Sequence, residues 1–291
     1  MIGVPFFVGY PLTPMLFGLP DMRGVSALPV RRYYNYLHAI SPKAGDFTIQ
    51  HVPVLTSPLL DLAAVRYVVL SVPPPLAPAT SVEAVLLTPP SQPAANDPNM
   101  PAVYQDDRVV VYENRAALPR VRIVHQANLV PDEAAALRWA QAVGERPDHA
   151  RELGLAETVI LEPDQDGNVA SALSRHGSST EYARLVNTSD PDRLVIEAHL
   201  EEPGFVVIAD TYYPGWKAWV DGTRTSIFPA DLLFRAVFVA AGTHSIALSY
   251  EPTSFLVGQV LFVIAAAFCL FALVRARSPS RRSGNPQSLT W

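Results

Sequence analysis

The densest group of chemically capable side chains lies in residues 210–222, DTYYPGWKAWVDG. This stretch gathers Tyr212, Tyr213, Trp216 and Trp219 beside Asp210, Lys217 and Asp221. Three roles fit that composition. The rings can pack a β-structure around a tight turn at Pro214 and Gly215. They can sit at a lipid headgroup layer, where Trp and Tyr are enriched, and meet a lipid-linked ligand there. They can also hold carbohydrate, because sugar C–H faces stack on rings while hydroxyls hydrogen-bond to carboxylates.

A second group is basic. Arg23, Arg31 and Arg32 form the dense cationic cluster of the body. Guanidinium groups suit bidentate phosphate binding, so these are phosphate-contact candidates. The same residues also fit a solvated, salt-bridged face. Stronger signatures are missing: no phosphate-binding glycine loop, no dinucleotide fingerprint, no H-E-x-x-H, no nucleophile elbow and no C-x-x-C. The histidines at 38, 51, 125, 149, 176, 199 and 244 show no metal-ligand spacing, so neither a metal site nor a cofactor is expected. Residues 164–168 (DQDGN) resemble part of a calcium loop but lack its third acid and distal glutamate, which leaves a polar turn. Residues 187–189 (NTS) match a glycosylation sequon over three positions only. The single cysteine, Cys269, sits in an apolar run and reads as a small buried hydrophobe.

Composition bounds what must position these groups. Of 291 residues, 49% are hydrophobic and 17% charged, which excludes wholesale disorder. The 28 prolines argue against a long-helix bundle. Four of the 22 basic residues follow residue 274, so the rest of the chain carries 18 against 27 acidic residues. A body of that sign is a poor partner for nucleic acid.

Hydrophobic patterning then divides the chain. Residues 1–71 read as an α/β segment, with a helix around 29–39, a strand at 47–54 and a short helix turning into a strand at 61–71. Residues 72–101 hold nine prolines and read as a linker. Residues 102–176 continue the first domain, with strands at 108–113, 120–125 and 157–162, a helix at 131–143 stopped by Gly144, and a short helix at 148–153. From 177 to 253 the pattern turns to short strands with frequent turn signals, including a hairpin at Asp221 and Gly222; this predicts an antiparallel β-sandwich. The fold class expected is therefore α+β, with a mixed α/β N-terminal part, a juxtamembrane sandwich and one C-terminal membrane helix.

Residues 255–274 (FLVGQVLFVIAAAFCLFALV) carry no formal charge over 20 positions, long enough at roughly 1.5 Å per residue to cross the hydrocarbon core. The helix is placed at 254–275, followed by a basic tail, 276–291. Arg275, Arg277, Arg281 and Arg282 lie on one side, with no Lys or Arg between residues 236 and 254 on the other. The positive-inside rule puts the tail in the cytoplasm and the body outside, at a plasma membrane. The N-terminus has no basic region before its proline-interrupted apolar run, so export is expected to depend on helices earlier in a longer polytopic protein.

Several stretches, in order, carry a family resemblance. Residues 210–222 (DTYYPGWKAWVDG), 234–237 (FRAV) and 241–244 (AGTH), together with 10–11 (YP), 16–24 (LFGLPDMRG), 32–33 (RY) and 62–69 (LAAVRYVV), resemble the C-terminal region of YfhO-like bacterial membrane proteins. The resemblance implies a polytopic glycosyltransferase of the GT-C type. It would move sugar from a polyprenyl-phosphate carrier to a cell-envelope glycopolymer such as lipoteichoic acid. The catalytic acid of that fold lies in the first external loop, after a first membrane helix. Neither is present here, so no catalytic residue carries over and this chain alone is expected to be inert. Its expected role is accessory: acceptor positioning, or support of the missing membrane bundle. Its expected partners are membrane lipid, that bundle, a polyprenyl-phosphate-linked sugar and an envelope glycopolymer. The alternative is a stand-alone membrane-anchored module that binds glycan or is purely structural.

Overall fold

A computed structural model describes residues 2–3, 30–40, 55–71, 97–146, 148–164, 166–167, 180–187 and 190–277. Arg23, the strand expected at 47–54, most of the proline-rich segment, the last two sequon positions and the tail from 278 lie outside the described residues. So do residues 10–24, which carry part of the family resemblance. The chain divides into two compact units, Met1–Tyr250 and Glu251–Trp291.

Among the described residues, the first unit is α+β, with three sheets and three helices. A four-stranded sheet runs in the order β1 (Ile2–Gly3), β2 (Tyr67–Ser71), β4 (Val109–Glu113), β3 (Ala102–Gln105). A six-stranded sheet runs β5 (Val121–Val124), β10 (Gly204–Ile208), β14 (Phe234–Val239), β13 (Phe228–Ala230), β7 (Thr158–Leu161), β6 (Gln126–Leu129). A five-stranded antiparallel sheet runs β12 (Thr223–Thr225), β11 (Trp216–Val220), β15 (Gly242–Tyr250), β9 (Arg193–Leu200), β8 (Tyr182–Asn187). Three helices accompany them: α1 (Arg31–Ile40), α2 (Pro58–Leu62) and α3 (Glu133–Gly144).

The six-stranded sheet is buried on both faces, and this explains its sequence. Along β10, Phe205 and Val207 join the core that holds α1, α2 and α3, while Val206 and Ile208 join a second core. Both parities must then be apolar, which gives a continuous run rather than an alternation. The second core also takes Leu194, Ile196, Ala198 and Leu200 from β9, Ala218 from β11, and Ile246 and Leu248 from β15. The five-stranded sheet contributes one face only, and β9 alternates accordingly. The boundary drawn at 176/177 runs through the six-stranded sheet, which takes β5, β6 and β7 from before it and β10, β13 and β14 from after it.

Several local details refine or correct the sequence expectations for physical reasons. Asp132 is the N-cap of α3 rather than a first-turn residue, accepting from the Ala135 amide at 2.8 Å. Gly144 is the last residue of α3 and is also a packing glycine, since a Cβ there would lie 2.0 Å from the Ala39 carbonyl oxygen of α1. The helix expected at 148–153 is a series of turns, organised by Asp61, which accepts from the Ala150 amide at 3.0 Å. The strands on either side of residues 114–119 are not partners: β4 and β5 belong to different sheets. The hairpin at Asp221 and Gly222 joins β11 to β12, with both residues at positive φ (51° and 81°), as a type I′ turn requires.

The second unit holds α4 (Thr253–Arg277). Its first part, Thr253–Leu273, has a mean hydropathy of 2.6 and is long and apolar enough to cross a membrane.

Candidate functional site

The segment 210–222 leaves β10, turns at Pro214 and Gly215, and becomes β11. Its first acid is held at once. The Ala209 amide donates to the Arg120 carbonyl at 2.8 Å. Arg120 then grips Asp210 with two hydrogen bonds, Nε to Oδ1 at 2.8 Å and Nη2 to Oδ2 at 2.9 Å. Arg235 of β14 adds a third, Nη2 to Oδ2 at 3.0 Å. Two guanidinium groups therefore share one carboxylate.

Arg235 sits deep, with 3% of its side chain exposed. Burial pulls its pKa down to about 10, Asp210 opposes that, and Arg120 adds to it. It stays protonated at neutral pH. Its Nε and Nη1 have no hydrogen-bond partner. The compensating group is an aromatic face: the guanidinium carbon lies 4.0 Å from the centroid of Trp216. A desolvated contact of this kind contributes about 2 kcal/mol. Trp216 in turn packs on Tyr250, centroids 5.5 Å apart, and Tyr213 leans on Tyr250 at 6.3 Å. Strand register enforces the first pairing, since Trp216 lies opposite Tyr250 across β11 and β15.

The structure thus brings Asp210, Tyr213 and Trp216 together and separates the other candidates. Tyr212 is buried in the second core, its amide donating to the Leu233 carbonyl at 2.6 Å. Lys217 and Trp219 are half-buried on the face of β11 turned away from that core, opposite Ser249 and Ala247. Asp221 is a turn residue: it accepts from the Ser245 amide at 2.8 Å and from His244 Nδ1 at 2.6 Å. Those two bonds hold its carboxyl below the usual range.

The two phosphate candidates among the described residues, Arg31 and Arg32, are bound to acids. Arg32 meets Glu162 in a fork, 2.7 and 2.8 Å, and donates to the Leu232 carbonyl at 2.9 Å. Burial works against its charge, but the Glu162 hydrogen bond and charge outweigh it, and its pKa is raised. Its guanidinium also lies 5.3 Å from the Tyr212 ring centroid. Arg31 is 79% exposed and pairs with Glu133 at 2.7 Å.

Sequence reasoning passed over three buried polar clusters. Arg122 of β5 pairs with Asp231 at 2.6 Å, and Asp231 also accepts from the Ile160 amide at 2.9 Å. Asp61 accepts from Asn114 at 2.7 Å and from His149 Nδ1 at 2.9 Å. His125 faces the Pro203 carbonyl with Nδ1, at 3.1 Å, and the Glu181 carboxylate with Nε2, at 2.9 Å. The available signal was a lone charge inside an apolar run, as in RVRIVH and FRAVFV. Among the described residues, no three His, Cys, Asp or Glu side chains are grouped to hold a metal ion. No family model, curated protein or solved structure matches the chain.

Proposed function

We propose that this chain is the extracytoplasmic C-terminal portion of a YfhO-like, GT-C-type glycosyltransferase, and that it acts as a non-catalytic accessory body. The family in this reading rests on the resemblance of residues 62–69, 210–222, 234–237 and 241–244, and one structural observation supports its membrane-anchored body. An α+β unit ends at Tyr250, and after Glu251 and Pro252 the chain continues as a helix of membrane-crossing length and hydropathy. The arginines beyond that helix orient it with the body outside. The two sheets that share the second core are read as the juxtamembrane β-sandwich of this body. The commitment of Asp210 and Arg32 to ion pairs supports a positioning or supporting role over acid–base chemistry.

The test is a transfer assay in proteoliposomes holding the full chain, supplied with a polyprenyl-phosphate sugar and an envelope glycopolymer. No transfer above protein-free vesicles is expected. Turnover by this chain alone contradicts the reading.

A second reading, a glycan-binding module, draws on Lys217 and Trp219, side by side on the outer face of β11. It predicts glycan affinity that is lost in Trp219→Ala while the circular dichroism spectrum is kept.

A further inference from the structure

We propose that Tyr213, Trp216 and Tyr250 form an aromatic collar that seats one end of the body in the lipid headgroup layer. This rests on the reading that α4 spans a bilayer. The collar's occupant is a lipid surface rather than a free ligand, and four observations point there.

The first is covalent. Only Glu251 and Pro252 separate Tyr250 from Thr253, the first residue of α4. The chain reaches at most about 11 Å between the two Cα atoms. Whatever angle the helix takes, Tyr250 stays within a headgroup layer's thickness of its start.

The second is chemical. The three rings touch through Tyr250: Tyr213 is 44% exposed, Tyr250 is half-buried, and Trp216 is half-buried at the edge of the second core. Rings with an apolar body and a polar tip are the side chains that favour the interface between water and hydrocarbon.

The third is mechanical. Trp216 is not a loose side chain. Arg235 lies against its ring from within the body, and Asp210, gripped by Arg120, holds Arg235 in place. A ring fixed in this way loses little side-chain entropy when it enters a headgroup layer, so more of its transfer free energy is realised as binding.

The fourth is the polarity of the five-stranded sheet. The end that carries Trp216 and Tyr250 has three rings in contact, whereas the other end has Tyr182, 44% exposed and stacked on His199. The opposite end, where β11 turns into β12 and β15 begins, has Asp221, His244 and the exposed Glu201 and Glu202. Carboxylates are poor headgroup partners beside anionic lipid. Lys217 and Arg193 flank the aromatic end, opposite Ser249 in the register, with Asp190 and Asp192 near them. Glu251 follows Tyr250 directly, so this end carries three carboxylates against two cations, which disfavours anionic lipid and favours a zwitterionic surface.

Trp219 supplies an internal ruler. It lies three residues along β11 from Trp216, about 10 Å further from the collar end. The chain has four tryptophans, at 139, 216, 219 and 291. Two variants of the full chain are reconstituted in phosphatidylcholine vesicles, each keeping one tryptophan, Trp216 or Trp219, with the others changed to Phe. The lipid carries bromine at the headgroup end of its acyl chains. The expected result is about twofold stronger quenching of Trp216 than of Trp219. Equal quenching, or a Trp216 that is shielded from water yet unquenched because protein covers it, overturns the proposal.

A second measurement does not depend on replacing Trp216. Tyr213→Cys and Thr223→Cys, each in a Cys269→Ala chain, receive a nitroxide label. In vesicles, oxygen should relax the Tyr213 label more strongly than a water-soluble nickel chelate does, with the reverse order for the Thr223 label. Identical behaviour at both positions overturns the proposal. Extraction of the chain from the vesicles by alkaline carbonate would show instead that the membrane-spanning reading fails, whereas retention without quenching defeats the collar alone.

Discussion

The two ends of the five-stranded sheet solve opposite problems. At the end formed by Trp216 and Tyr250, a buried arginine, a shared carboxylate and three rings are locked together. At the other end, Asp221 and His244 form a solvent-facing staple between the β11–β12 turn and the start of β15. The first end holds a desolvated charge that must be compensated from several sides. The second holds charges that water already satisfies. The interior of a cluster, rather than the number of its hydrogen bonds, sets how much stability depends on it.

The largest effect is therefore expected from Asp210→Ala. It strands Arg235 in the interior and removes the partner of Arg120, at a cost of about 3–5 kcal/mol. Urea unfolding of the detergent-solubilised chain checks this, and a loss under about 1 kcal/mol would break the contrast between the ends. Next comes Trp216→Ala, about 2–3 kcal/mol from lost packing and the lost cation–π contact. Trp219→Ala, on the outer face of the same strand, should cost about 1 kcal/mol, so the pair sharpens the comparison within one element.

Much of this architecture is legible in the chain itself. The alternation of β9 announces one buried face, the apolar run of β10 announces two, and Asp221 with Gly222 announces a type I′ hairpin. Other features are set by partners far away in sequence. Arg122 lies in an otherwise apolar strand because Asp231 meets it, and Arg235 because Asp210 and Trp216 do. Nothing near either arginine in the chain names those partners. The sheet assignments of β4 and β5 are similar: two like runs joined by a short connection join different sheets. Strands with no apolar alternation escape patterning altogether. β3 is exposed along its whole length, and β13 contains Pro229. That proline is tolerated because β13 meets β7 at one register pair only, Ala230 with Leu161. The site was half legible. Residue types in 210–222 pointed to a special segment, but only the fold shows that Tyr212 is buried in the second core while Trp216 packs at its edge, braced by Arg235.

Smaller effects test the solvent-facing end. Gly222→Ala, at a φ of 81°, should cost about 1 kcal/mol in a thermal or urea melt and leave the aromatic end intact. The Asp221–His244 staple should show as a pH dependence. The His244 pKa is raised above 6.5, first by its hydrogen bond to Asp221. Its contribution is complete below that value and is lost as pH rises through the higher native value. The Asp221 pKa is lowered below 3.8, so its contribution is present above that value and lost as pH falls through the native one. The difference in melting midpoint between the parent chain and His244→Gln should be present at about pH 5.5 and vanish at about pH 9. An equal difference at both would show that the staple acts through packing rather than charge.

The central claim is that the body stands outside the membrane and the basic tail inside. Thr223→Cys and Ser283→Cys, each in a Cys269→Ala chain, can be exposed to a membrane-impermeant maleimide on intact bacterial cells. Labelling of Thr223→Cys in intact cells, with Ser283→Cys reacting only after lysis, is the predicted result. The reverse pattern would place the body in the cytoplasm and contradict the account.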